Sequence, residues 1–131
     1  MKLWMSAEIQ ADVGDAYREV RKTIETSVNS LLEGISLSEK SERWAFIAII
    51  LKEDHPDYDE VVKRSSRGKV LEFRLKIPHG DFLAASQNQR IRLIFKALSR
   101  SVSLMAELKV TAETQTTLQS ILVQAESNLL P

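Results

Sequence analysis

The sequence predicts an α+β fold with the order β-α-β-β-β-α-α: a mainly antiparallel four-stranded sheet packed against three helices. Three observations carry that prediction. Leu71, Phe73, Leu75 and Ile77 alternate with Glu72, Arg74 and Lys76, the period-two signature of a strand with one buried face. Two longer stretches repeat apolar residues every three or four positions, the signature of amphipathic helices. Most strand-like segments precede the later helical ones, so strands and helices are segregated along the chain. With 131 residues, the chain has the length of one domain, residues 1–131.

Taken in order, Lys2 to Ile9 reads as a short first strand. Asp12 offers a helix cap. Behind it Val13, Ala16, Tyr17, Val20, Ile24, Val28 and Leu31 form one apolar stripe, with Asp15 and Glu19 near the positive end of the helix. Gly34 is a plausible stop, and residues 34–43 are polar loop. The run Trp44 to Leu51 is continuously apolar and of strand length, as expected of a strand buried on both faces. Glu60 to Ser65 is a weaker strand, and Ser66-Arg67-Gly68-Lys69 supplies a hairpin turn into the alternating strand at 71–77. The first two strands, joined through a helix, are parallel if adjacent. The last three form an antiparallel meander. Helices on one face would leave the side carrying Glu72, Arg74 and Lys76 open; the two-sided apolar second strand keeps helices on both faces as the alternative.

Pro78-His79-Gly80 breaks the fourth strand. A long helix is expected from about Asn88 to Lys109, with Ile91, Ile94, Phe95, Leu98, Val102, Met105 and Leu108 as its stripe, widened by Leu93, Ala97 and Leu104. Thr111 or Thr114 opens the last helix, whose face carries Leu118, Ile121, Leu122, Ala125 and Leu129.

Composition excludes much chemistry. The 44% hydrophobic content is too high for a disordered chain. The absence of cysteine removes disulfide scaffolds, cysteine nucleophiles and thiolate metal sites. No apolar stretch approaches a membrane span, and Ser6 and Glu8 interrupt the N-terminal apolar run where a signal peptide would need it continuous. The expectation is a cytoplasmic protein with no membrane partner. His55 lies in a run from Glu53 to Glu60 with five carboxylates, but the EF-hand glycine and terminal ligand are missing, so a solvated acidic loop is the simpler account. His79 reads as a loop histidine. Scattered glycines build no phosphate loop, and no serine is set in a nucleophile elbow. The expectation is a protein that is not an enzyme and uses no cofactor.

Charge is distributed unevenly. The chain has 18 basic and 18 acidic residues. Residues 1–62 carry net −6, residues 63–100 carry +8 and residues 101–131 carry −2. The basic block is Lys63, Arg64, Arg67, Lys69, Arg74, Lys76, Arg90, Arg92, Lys96 and Arg100. A nucleic-acid-binding module using the block 63–100 is the competing functional reading, and it needs exposed aromatics for stacking. The three aromatics of the block, Phe73, Phe82 and Phe95, offer no such platform in the sequence pattern. The simpler account is that the basic segment neutralises the acidic one.

Several segments together resemble a family of small bacterial proteins: Trp4-Met5-Ser6-x-Glu8-Ile9, Asp12-Val13-Gly14-Asp15, Trp44-Ala45-Phe46-Ile47, Phe73-Arg74-Leu75-Lys76-Ile77 with Asp81-Phe82, and Leu98-x-x-Ser101-Val102. They are immunity proteins of polymorphic toxin systems. The resemblance covers about residues 3 to 105 and departs at Ala7, where the pattern has glycine. It implies a non-catalytic protein whose partner is a cognate protein toxin, and it carries no catalytic residue. If that toxin is a nuclease, its basic cleft would suit the acidic residues Glu53, Asp54, Asp57, Asp59 and Glu60. The outward strand face of Glu72, Arg74 and Lys76 is the second candidate contact.

Overall fold

A computed structural model of the chain describes residues 1–6, 11–35, 37, 45–46, 61–65 and 70–131. The elements are β1 (Lys2–Leu3), α1 (Ala11–Glu33), β2 (Ala45–Phe46), β3 (Val61–Arg64), β4 (Leu71–Arg74), α2 (His79–Ala84), α3 (Gln87–Leu104), a 3₁₀ turn (Met105–Leu108) and α4 (Ala112–Leu129). Their order of helices and strands follows the sequence expectation apart from the short α2, but the architecture corrects it. The described residues are mostly helical, with four α-helices rather than three. No four-stranded sheet forms among the described residues. Instead there are two two-stranded ladders.

β1 pairs with β2 in parallel, Lys2 opposite Ala45 and Leu3 opposite Phe46. β3 pairs with β4 antiparallel, in the register Val61–Arg74, Val62–Phe73, Lys63–Glu72 and Arg64–Leu71. The hairpin is closed beyond the ladder by Ser65 N–H donating to the Val70 carbonyl at 2.7 Å. β2 lies beside β4, yet no ladder joins them among the described residues, so the expected three-strand meander is absent there. The expected turn at 66–69 and most of the apolar run 44–51 lie outside the described residues.

The brevity of β1 has a physical cause in α1. Asn29 turns its amide onto the strand: Leu3 N–H donates to Asn29 Oδ1 at 2.8 Å, and Asn29 Nδ2 donates to the Leu3 carbonyl at 3.0 Å. Met5 N–H donates to Glu25 Oε1 at 2.7 Å, one helical turn earlier. Two helix side chains thus do what a neighbouring strand would do, and the free edge of β1 is closed. α1 buries Val13, Ala16, Tyr17, Val20, Ile24 and Val28 as expected. Its last inward residue is Leu32 rather than Leu31, which is half-buried.

α2 occupies the segment expected only to break β4. Pro78, with φ −58°, stands at its N-cap position, and Asp81 lies in the first turn, where the helix dipole favours an acid. Ser86 then caps α3: Gln89 N–H donates to Ser86 Oγ and Ser86 N–H donates to Gln89 Oε1, a reciprocal capping box. α3 buries Ile91, Ile94, Phe95, Ala97, Leu98, Ser101 and Val102. It tightens into the 3₁₀ turn and stops at Lys109, whose φ of 60° places a lysine in the left-handed region usually held by glycine. Thr111 caps α4, which buries Thr114, Leu118, Ile121, Leu122 and Ala125. Residues from β1, α1, β4 and all the later helices meet in one apolar cluster.

Candidate partner-binding surface

The alternation of β4 continues past its last ladder residue. Leu71, Phe73, Leu75 and Ile77 are buried, Glu72 and Arg74 are half-buried, and Lys76 is exposed. The outward face is largely self-neutralised. Glu72 pairs with Lys63, directly opposite on β3, at 3.7 Å, and with Arg74 Nε at 3.2 Å. Of the three outward residues expected to meet a partner, Glu72 and Arg74 hold each other, and Lys76 alone turns to water. The other expected contact residues, Glu53, Asp54, Asp57, Asp59 and Glu60, lie outside the described residues, as does His55.

The basic block divides. Arg64 lies opposite Leu71 on the inward face of the hairpin and donates through Nε and a terminal nitrogen to the Leu108 carbonyl, fastening β3 to the end of the 3₁₀ turn. Arg90 donates from Nε to the Phe82 carbonyl at 2.9 Å and from an Nη to the Leu83 carbonyl at 3.0 Å. Its guanidinium lies 5.6 Å from the Phe82 ring centroid and 3.7 Å from Glu19 on α1. These arginines satisfy carbonyls at the ends of short helical pieces, where intrahelical donors run out.

The exposed cations of α3 are Arg92, Lys96 and Arg100, each four residues from the next and therefore on one helix face. Two adjoining hollows run beside them. One of about 430 Å³ is lined by Asp81, Ala84, Ala85, Gln89, Arg92, Leu93 and Lys96. The next, of about 310 Å³, is lined by Leu75, Lys76, Ile77, Pro78, Asp81, Leu93, Lys96, Ala97 and Arg100. Asp81, Leu93 and Lys96 border both, so the hollows form one groove between α3 on one side and α2 with the residues after β4 on the other. Lys76 joins the α3 cations on its rim. The sequence named Lys76 but attached it to the strand face, because helix and strand cations meet only once the chain folds.

The three aromatics of the block are interior: Phe73 and Phe82 are fully buried and Phe95 is 3% exposed. They offer no stacking platform. Among the described residues no cluster of three or more His, Asp or Glu could hold a metal ion, and no helix is long and apolar enough to cross a membrane. Tyr17 is the one described group with a clearly displaced pKa. Burial pushes its phenol well above the ordinary value of 10.0, Arg21 partly opposes the shift and Glu25 adds to it. Tyr17 lies in the core and its hydroxyl donates to the Ser6 carbonyl at 3.4 Å, a structural contact.

No curated protein and no solved structure matches the chain. A family model described as Immunity protein 44 matches residues 1–125, nearly the whole length. That bears out the resemblance seen in the sequence, and extends it into α4. The chain belongs to the Immunity protein 44 family, whose general role is immunity to a toxin.

Proposed function

We propose that the protein neutralises its cognate toxin by binding it directly in the cytoplasm, with no catalysis of its own. The family match over residues 1–125 carries this reading. Two further features support it. The charge of the chain is segregated, −6 over residues 1–62 and +8 over residues 63–100, and complementary fields of that kind speed association and restrict partner choice. A cysteine-free chain also suits a reducing compartment without depending on it.

The acidic run Glu53, Asp54, Asp57, Asp59 and Glu60 is proposed as one contact, directed at a basic substrate cleft if the toxin is a nuclease. The test is co-expression with the toxin encoded beside the gene. Wild type restores growth, and the purified pair forms a stable complex. Replacing Glu53, Asp54, Asp57 and Asp59 by Ala lowers protection and weakens the complex by at least tenfold. Undiminished protection by that variant removes the acidic run from the interface. Failure of wild type to protect or to bind overturns the proposed function itself.

A further inference from the structure

We propose that the groove along α3 is a second contact surface, and that its occupant is an extended acidic segment of the partner protein with apolar residues between its carboxylates. The proposal rests on the toxin-binding reading above, and it adds the chemistry of the segment bound.

Spacing is the first argument. Arg92, Lys96 and Arg100 recur every four residues, so they rise about 6 Å from one to the next along the helix. In an extended chain alternate side chains lie about 6.6 Å apart. A segment with carboxylates at every second position therefore stays nearly in step with all three cations. The groove borders α3 from Gln89 to Arg100, roughly 17 Å at the helical rise, which seats about five extended residues.

Charge and floor are the second and third arguments. Lys76, Arg92 and Lys96 form no ion pair among the described residues, and Asp81 is the single carboxylate lining the groove. Between the cations and α2 the lining is apolar, with Leu93, Ala97, Ile77, Pro78 and Ala84. Cations on the rim and an apolar floor fit a segment that alternates acidic and apolar side chains, because anchoring groups seat best where water is excluded beside them. A nucleic-acid strand would find the same cations but no exposed ring to stack on, since Phe73, Phe82 and Phe95 are buried.

The experiment is an amide NMR titration of the full chain with a hexapeptide alternating glutamate and leucine. Its counterpart with lysine in place of glutamate and a twelve-base-pair DNA duplex are run in parallel. The acidic peptide is expected to shift resonances of residues 92–100 and 75–78. The double variant Lys96→Glu, Arg100→Glu is expected to weaken that binding at least tenfold while keeping the wild-type unfolding midpoint. Absence of shifts with the acidic peptide, equal shifts with the lysine peptide, or tighter binding of the duplex at the same residues overturns the surface. So does concentration-dependent dimerisation through those residues. If the peptide binds as expected but wild type fails to protect against the toxin, the proposed function falls and the groove stands. If wild type protects and no peptide shift occurs, the groove falls and the proposed function stands.

Discussion

Arg90 and Arg92 are two residues apart on α3 and face opposite environments. Arg90 turns inward, where its guanidinium holds two α2 carbonyls, the Phe82 ring and Glu19. Arg92 turns outward and begins the row continued by Lys96 and Arg100. The same division separates Arg64, fixed on the Leu108 carbonyl, from Lys76, exposed at the groove. A net charge of +8 over residues 63–100 therefore does two jobs. Part of it completes backbone hydrogen bonding at the joints between short elements, and part remains at the surface for a partner. The inward set should govern stability and the outward set recognition, and variants of each should separate cleanly.

The largest effect tests the inward set at Arg90. Its side chain is only 17% exposed, so removing it strands two carbonyls and breaks the joint between α2, α3 and α1. Arg90→Ala is expected to cost about 3 kcal/mol, from two charge-assisted hydrogen bonds discounted for partial exposure. Urea unfolding monitored by circular dichroism measures it. Arg90→Lys should recover little, because an ammonium cannot reproduce the planar fork. A loss for Arg90→Ala no larger than that of Arg92→Ala would erase the division drawn here.

The second effect moves the comparison to uncharged groups. Asn29 meets both backbone groups of Leu3, a residue 1% exposed. Asn29→Ala leaves a buried donor and acceptor unpaired and should cost about 2 kcal/mol. It should also raise amide exchange at Leu3 above that of Leu71, which a true ladder protects. Asn29→Asp keeps the acceptor for Leu3 N–H but loses the donor to its carbonyl, so an intermediate loss is expected.

How far the sequence disclosed this molecule follows from the range of the interactions. The stripes of α1, α3 and α4 and the inward face of β4 were legible, because burial repeats at helical and strand periods within a few residues. The parallel relation of β1 and β2 was legible from the intervening helix. The four-stranded sheet was a wrong expectation because β1 meets helix side chains on one edge. An asparagine 26 residues away standing in for a strand leaves no periodic trace. α2 was missed because Pro and Gly were read as breakers, although Pro at a helix start is no obstacle. At the candidate surface Lys76 was named while Arg92, Lys96 and Arg100 stayed inside an undivided basic block. Their four-residue spacing was visible, but only the fold sets Lys76 across a groove from them.

The smallest effect concerns Tyr17, an inward polar group whose contribution depends on pH. Its hydroxyl donates to Ser6 across 3.4 Å, a long hydrogen bond, so Tyr17→Phe should change stability by less than about 1 kcal/mol at neutral pH. The alkaline limb is more informative. Burial raises the folded-state pKa above the ordinary phenol value of 10.0, so the folded protein keeps its proton where the unfolded chain releases one. Stability from this group is therefore complete below pH 10.0 and declines as pH rises above it, because the unfolded state alone gains by ionising. Tyr17→Phe should flatten the unfolding free energy between roughly pH 10 and 12 relative to wild type, an interval set by the phenol reference. The ridge variant Lys96→Glu, Arg100→Glu should retain the wild-type slope, because those cations lie on the outer face of α3 away from Tyr17. An equal slope in wild type and Tyr17→Phe would show that the alkaline loss arises elsewhere, and would remove Tyr17 from the inward groups that set stability.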